Sequence, residues 1–153
     1  MDLLLWRHAE AEDIHAGGRD HERKLTTKGK RQAQKIADWL ALQLPQDARI
    51  LVSPALRTVQ TAEALKRKFE ISEQLSTRAS LSDHLAAARW PDNGNVLLVG
   101  HQPTLGQIAA LLMSGHPSAW EIRKGALWWL RSAPEGGKLH ATLRVAMLPG
   151  MLE

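Results

Sequence analysis

The 153-residue chain has no cysteine, no tyrosine and only one phenylalanine. Without a thiol there is no disulfide framework, no thiolate zinc site and no cysteine nucleophile. Without a phenol, tyrosine can serve neither as acid nor as nucleophile. A cysteine-free chain also accords with a reducing compartment. Long hydrophobic runs are missing as well. The opening run Leu3-Leu4-Leu5-Trp6 is far shorter than a secretory leader, and Asp2 stands where such a leader carries positive charge. No stretch approaches the ~20 apolar residues of a membrane span. These absences lead to the expectation of a cytoplasmic protein that does not engage a membrane. Several signatures are lacking too: the nucleotide P-loop, the G-x-S-x-G elbow, G-x-G-x-x-G, H-E-x-x-H, and any pair of histidines four residues apart.

What is present fits a folded α/β protein. Apolar residues make up 44% and charged residues 24% of the chain. Its length suits one compact domain over residues 1–153. A net charge of +4 attracts anions in general and selects none of them. The six tryptophans do not interleave with basic residues, so no base-stacking stripe and no nucleic-acid partner are expected. The same holds for the basic stretch Lys24, Lys28, Lys30, Arg31 and Lys35, which reads as a solvated helix face.

Apolar runs alternate with helical patterns, which predicts a mostly parallel central sheet in a three-layer α/β/α arrangement. Strands are expected over Leu3–Trp6, Arg49–Ser53, Val96–Val99, Ala126–Arg131 and Leu139–Met147, the last two flanking a turn at Pro134-Glu135-Gly136-Gly137. Helices are expected from Thr26 or Thr27 to about Leu44, over Ala55–Phe69, Ser80–Trp90 and Thr104–Met113. The polar stretch Asp13–Leu25 reads as a loop. Three strands therefore end in polar turns: Arg7-His8, Ser53-Pro54 and Gly100-His101. In open parallel sheets the ligand crevice lies beyond the carboxyl ends of the strands, so these distant segments should share one rim.

Arg7, His8, Arg57 and His101 meet at that rim. A guanidinium presents a planar fork of donors that matches phosphate oxygens. A neutral imidazole nitrogen attacks phosphorus, and a second, protonated imidazole would stabilise the equatorial oxygens. The set can perform metal-free phosphoryl transfer, or it can merely bind phosphate. His15 and His21 read as loop residues that, with Glu10 and Glu12, match no standard metal-site spacing. His84, His116 and His140 are expected on the surface.

Four segments carry a resemblance: Arg7-His8-Ala9-Glu10-Ala11-Glu12, Leu25-Thr26-Thr27-Lys28-Gly29-Lys30-Arg31-Gln32-Ala33, Ser53-Pro54-Ala55-Leu56-Arg57-Thr58-Val59-Gln60-Thr61-Ala62-Glu63, and Gly100-His101-Gln102-Pro103-Thr104. In kind and order they resemble the motifs of the histidine phosphatase superfamily, with its phosphoglycerate mutase-like fold, and they frame about residues 1 to 115. The resemblance implies that His8 is the phosphorylated nucleophile. It implies that Arg7 and Arg57 bind phosphate, that His101 is the second pocket histidine, and that Ser53 and Thr58 lie near the substrate. No metal or other cofactor is implied. Gly100 is expected to matter sterically at the His101 turn, and Asp20 and Arg23 to form a structural pair on the rim.

The Arg-His-Ala-Glu-Ala opening and the chain length resemble the short SixA-type phosphohistidine phosphatases. Larger family members carry a lid and a glutamate acid between the second arginine and the second histidine. Here 43 residues separate Arg57 from His101, which leaves little room for a lid. Asp83 is the candidate acid in that interval. An alkoxide leaving group needs a positioned acid, whereas an imidazole leaves and takes up a proton easily. A lidless, acid-poor site thus favours phosphohistidine on a phosphotransfer protein. The alternatives are a small phosphate ester as substrate, or a phosphate-binding module without turnover.

Overall fold

The computed structural model describes residues 1–133 and 139–153. Its six strands are β1 (Asp2–Arg7), β2 (Arg49–Val52), β3 (Glu70–Ile71), β4 (Val96–Gly100), β5 (Leu127–Ser132) and β6 (Ala141–Met147). They form one sheet in the order β3-β2-β4-β1-β5-β6. β1, β2, β3 and β4 run parallel, while β5 is antiparallel to both β1 and β6. The helices are α1 (Thr27–Gln43), α2 (Leu56–Glu63), α3 (Leu81–Ala88) and α4 (Thr104–Ser114).

Alternation of side chains along the strands builds two cores. Leu4 and Trp6 of β1 join Ile50, Val52, Leu97 and Val99 under α1 and α2. Leu3 and Leu5 join Leu51, Val96 and Leu98 under α4 and the end of α3. A strand apolar on both faces is what two covering helical layers require, and the three-layer, mostly parallel expectation is met. In α1, Ala33, Ile36, Ala37 and Leu40 are buried as their spacing predicts, and the basic stretch is exposed. The hydroxyl of Thr26 accepts from the Gly29 N–H and caps the helix.

Three expectations need correction. The helix expected over Ala55–Phe69 ends at Glu63, because Lys66 turns the chain at φ 53° and leads it into the short edge strand β3. Helical composition does not reveal a two-residue strand that exists only because β2 lies beside it. The helix expected to Trp90 stops at Ala88, where Arg89 adopts the left-handed conformation. His84 is buried at 1% exposure. With Leu81, Leu85 and Ala88 it falls on the inward stripe of α3, and its Nδ1–H donates to the Ser80 carbonyl at 2.7 Å. The turn expected at Pro134-Glu135-Gly136-Gly137 lies outside the described residues. Among the described residues no helix is long and apolar enough to cross a membrane.

Candidate active site

Backbone hydrogen bonds join three strand ends. The His8 N–H donates to the Gly100 carbonyl at 3.1 Å, and the Ser53 N–H donates to Val99 at 3.0 Å. On the other flank of β1, the Arg7 N–H reaches Ala126 at 3.1 Å and Gly125 donates to the His8 carbonyl at 2.9 Å. The nucleophile candidate is therefore clamped on both sides by main chain.

His8, Arg57 and His101 are each about 95% buried, and the two imidazole rings lie 5.5 Å apart. The Nδ1 of His8 stands 2.8 Å from the Ala9 carbonyl. A carbonyl only accepts, so Nδ1 carries the proton and Nε2 keeps its lone pair. Burial is the main influence on its titration. Opposed by the Ala9 hydrogen bond and helped by the charges of Arg57, Arg7 and Arg23, it brings the His8 pKa down to about 4. His8 is thus a neutral imidazole at working pH.

His101 holds the Ser53 hydroxyl at 2.7 Å through Nε2. Burial first, then Arg57, His8 and His84 against the opposing pull of Asp20, push its pKa to about 3. The sequence suggested a protonated second histidine; in the free protein burial among cations keeps it neutral. An incoming phosphoryl dianion would reverse that electrostatic balance.

The guanidinium of Arg57 donates to the Asp20 carbonyl at 2.9 Å and to its carboxylate at 3.0 Å. The same carboxylate takes Arg23 at 3.1 Å, so the expected Asp20–Arg23 pair exists and also reaches Arg57. Burial alone would raise the Asp20 carboxyl, but hydrogen bonds from Arg23 and Arg57 hold it below the usual range. Arg7 donates to the Ile122 carbonyl at 3.0 Å. Among the described residues, Nε of Arg7, Nε of Arg57 and Nδ1 of His101 are buried without a hydrogen-bond partner. Buried polar atoms left in this way are costly, and the two arginine N–H donors among them suit an anion.

Two candidate carboxylates are already engaged. The Glu10 carboxylate accepts from the Thr26 hydroxyl at 2.7 Å. Asp83 closes a capping box, accepting from the Ser80 N–H at 2.9 Å while its own N–H donates to the Ser80 hydroxyl. Those Ser80 hydrogen bonds hold its carboxyl below the usual range, which suits an ionised cap rather than a proton donor. Thr58 is buried, and its hydroxyl faces the Ser53 and Ala55 carbonyls at 2.8 and 2.7 Å, bracing the turn that carries Ser53. No protein atom crowds Gly100: a Cβ there would meet only the Leu105 side chain at ordinary contact distance. Close approaches are at Gly29, where a Cβ would lie 2.0 Å from the Glu10 carbonyl oxygen, and at Gly106, where it would lie 1.7 Å from that of Trp120. No cluster of three or more metal-ligating side chains occurs among the described residues.

Three further residues support the site, and each lies in one of the four sequence motifs. Thr61 accepts from the Ala9 N–H at 3.1 Å, Gln32 from Glu10 at 3.0 Å and Gln60 from Leu25 at 2.7 Å. Together they fix the chain that leaves His8.

Comparison with known proteins agrees with this geometry. The model of the histidine phosphatase superfamily (branch 1) matches residues 3–85. Phosphohistidine phosphatase SixA of Escherichia coli (strain K12) is 32% identical over 124 residues, covering 75% of this chain and 76% of that protein. The SixA homolog of Haemophilus influenzae is 33% identical over 128 residues, covering 73% and 77%. A structure of the protein histidine phosphatase SixA complexed with tungstate superposes over the whole of both chains with a TM-score of 0.83 at 27% identity. With the paired histidines, the paired arginines and their strand-end placement, these likenesses put the chain in the histidine phosphatase superfamily, branch 1, among its SixA-type members.

Proposed function

We propose that this protein is a cytoplasmic phosphohistidine phosphatase that acts on a phosphorylated carrier protein through a phospho-His8 intermediate. One observation carries the reading: a neutral, tautomer-fixed His8 faces two arginines, while Asp83, the candidate acid, is spent on capping α3. Arg7 and Arg57 hold the phosphoryl oxygens, with His101 and the Ser53 hydroxyl beside them. The Nε2 lone pair of His8 forms a bond to phosphorus as the P–N bond of the substrate breaks. The departing imidazole keeps that electron pair and is protonated by solvent. Water then attacks phospho-His8, releasing phosphate and restoring the His8 lone pair.

The first transfer exchanges one P–N bond for another, so it is nearly balanced in energy and needs no strong acid. An alkoxide leaving group would need one. The tungstate complex of the related SixA, a tetrahedral oxyanion bound to a protein of this fold, supports the same reading.

The test is parallel turnover of a phosphohistidine-bearing carrier protein and a panel of small phosphate esters. Fast release from the carrier with slow ester hydrolysis is expected. A single ester hydrolysed faster than the carrier would move the function to small-molecule metabolism. His8→Ala should lower turnover by at least about 1,000-fold while inorganic phosphate still binds; near wild-type turnover in that variant would sink the mechanism.

A further inference from the structure

Beside the phosphoryl centre lies a cleft of about 650 Å³ whose lining includes Arg19, Asp20, Pro54, Glu73, Ser76 and Arg78. It shares two walls with that centre. Asp20 is the residue that grips Arg57 at 3.0 Å, and Pro54 follows the Ser53 that holds His101. None of its lining residues comes from β1 or from Ala9, the segment bearing the nucleophile. In an in-line displacement the leaving group departs opposite the nucleophile. A cleft that adjoins the centre and takes no wall from the nucleophile's segment is open to the part of the substrate beyond its phosphoryl group.

The charges of the lining are unequal in freedom. Asp20 is neutralised by Arg57 and Arg23. Arg19 has only a distant, exposed partner in Glu22 at 4.0 Å. Arg78 is exposed and makes no side-chain ion pair among the described residues, so Glu73 alone faces two loosely held guanidiniums. Such a lining attracts a carboxylate and repels a cation, which is how rim charges select partners.

Resting on the phosphohistidine reading, we propose that this cleft is the carrier-recognition pocket, in which Arg19 and Arg78 take an acidic residue flanking the phosphohistidine. The probes are two synthetic phosphohistidine peptides alike except for flanking Glu or flanking Lys, together with free phosphohistidine. Wild-type protein should show a KM about five- to tenfold lower for the Glu-flanked peptide. Arg78→Glu should abolish or invert that ratio, with the change carried by KM rather than kcat. Lys35→Glu, an equal charge change on α1 outside the cleft, should leave the ratio intact. Equal KM values for the two peptides in wild-type protein, or an unchanged ratio in Arg78→Glu, would overturn the proposal while the phosphatase reading stands. No turnover of either peptide or of free phosphohistidine would instead overturn the reading beneath it.

Discussion

At the N-terminal end of β1, Asp2 is met by Arg131 at 2.8 Å and by Arg144 at 3.5 Å, and Arg144 also lies over the Trp129 ring at 5.2 Å. At the C-terminal end of the same strand, Arg7 and His8 lie with Arg57 and His101, and among the described residues three buried nitrogens there lack a hydrogen-bond partner, against one, Trp129 Nε1, at the Asp2 end. The strand is six residues long, so the two ends share one sheet and one pair of cores. One end is electrostatically closed and ties β1 to β5 and β6. The other is left with surplus positive charge and unmet donors. A fold tolerates the second arrangement where a ligand, rather than the protein, completes it.

Breaking the open end should have the larger effect. Arg57→Ala removes a buried guanidinium, the proposed phosphate donor, and also releases Asp20. It should lower kcat/KM about 100- to 1,000-fold, with loss in both kcat and KM measured by steady-state kinetics. Arg57→Lys should recover little, because an ammonium cannot hold Asp20 and a phosphoryl group as a fork.

Titration sharpens the contrast. His8 and His101 fall from an ordinary value near 6.5 to about 4 and about 3 in the folded protein. The unfolded chain therefore binds protons on these residues before the native state does. Stability should be full above about pH 6.5 and decline as pH falls towards 4, at roughly 1.4 kcal/mol per pH unit for each histidine. Denaturant melts at stepped pH measure the slope, and His8→Ala should make it shallower. Activity should stay flat over most of that range and drop only near pH 4, as His8 gains its proton. An activity loss that follows a pKa near 6.5 would contradict a buried, neutral His8 as the proposed nucleophile.

The smallest effect belongs to the closed end. Burial alone would raise the Asp2 carboxyl, but the Arg131 hydrogen bond and the two arginine charges hold it below the usual range. Its partners are half exposed, so the pair is partly screened. Asp2→Asn should lower Tm by a few degrees and leave turnover unchanged. A marked loss of turnover would mean that the two ends are coupled through β1.

Much of this site is legible in the sequence because its chemistry sits in short motifs beside strong strand patterns. Arg7-His8 and Gly100-His101 end apolar runs, and Arg57 follows a strand within four residues. What escaped was non-local. The roles of Thr61, Gln32 and Gln60 lie in hydrogen bonds to a chain segment 22 to 52 residues away, which no local pattern encodes. The edge strand β3 exists only through its neighbour, and His84 is buried by the packing of α3 rather than by its own polarity.

The sequence by itself determined the period-two and helical apolar patterns, hence the layers, and the residue types that make phosphoryl chemistry possible. Tertiary structure alone decided the charge states and the allocation of partners. Desolvation depends on what packs over an imidazole, which is why His8 and His101 are neutral. Asp20 restrains Arg57 and Asp83 caps a helix because hydrogen-bond geometry, unlike composition, is a property of the folded chain.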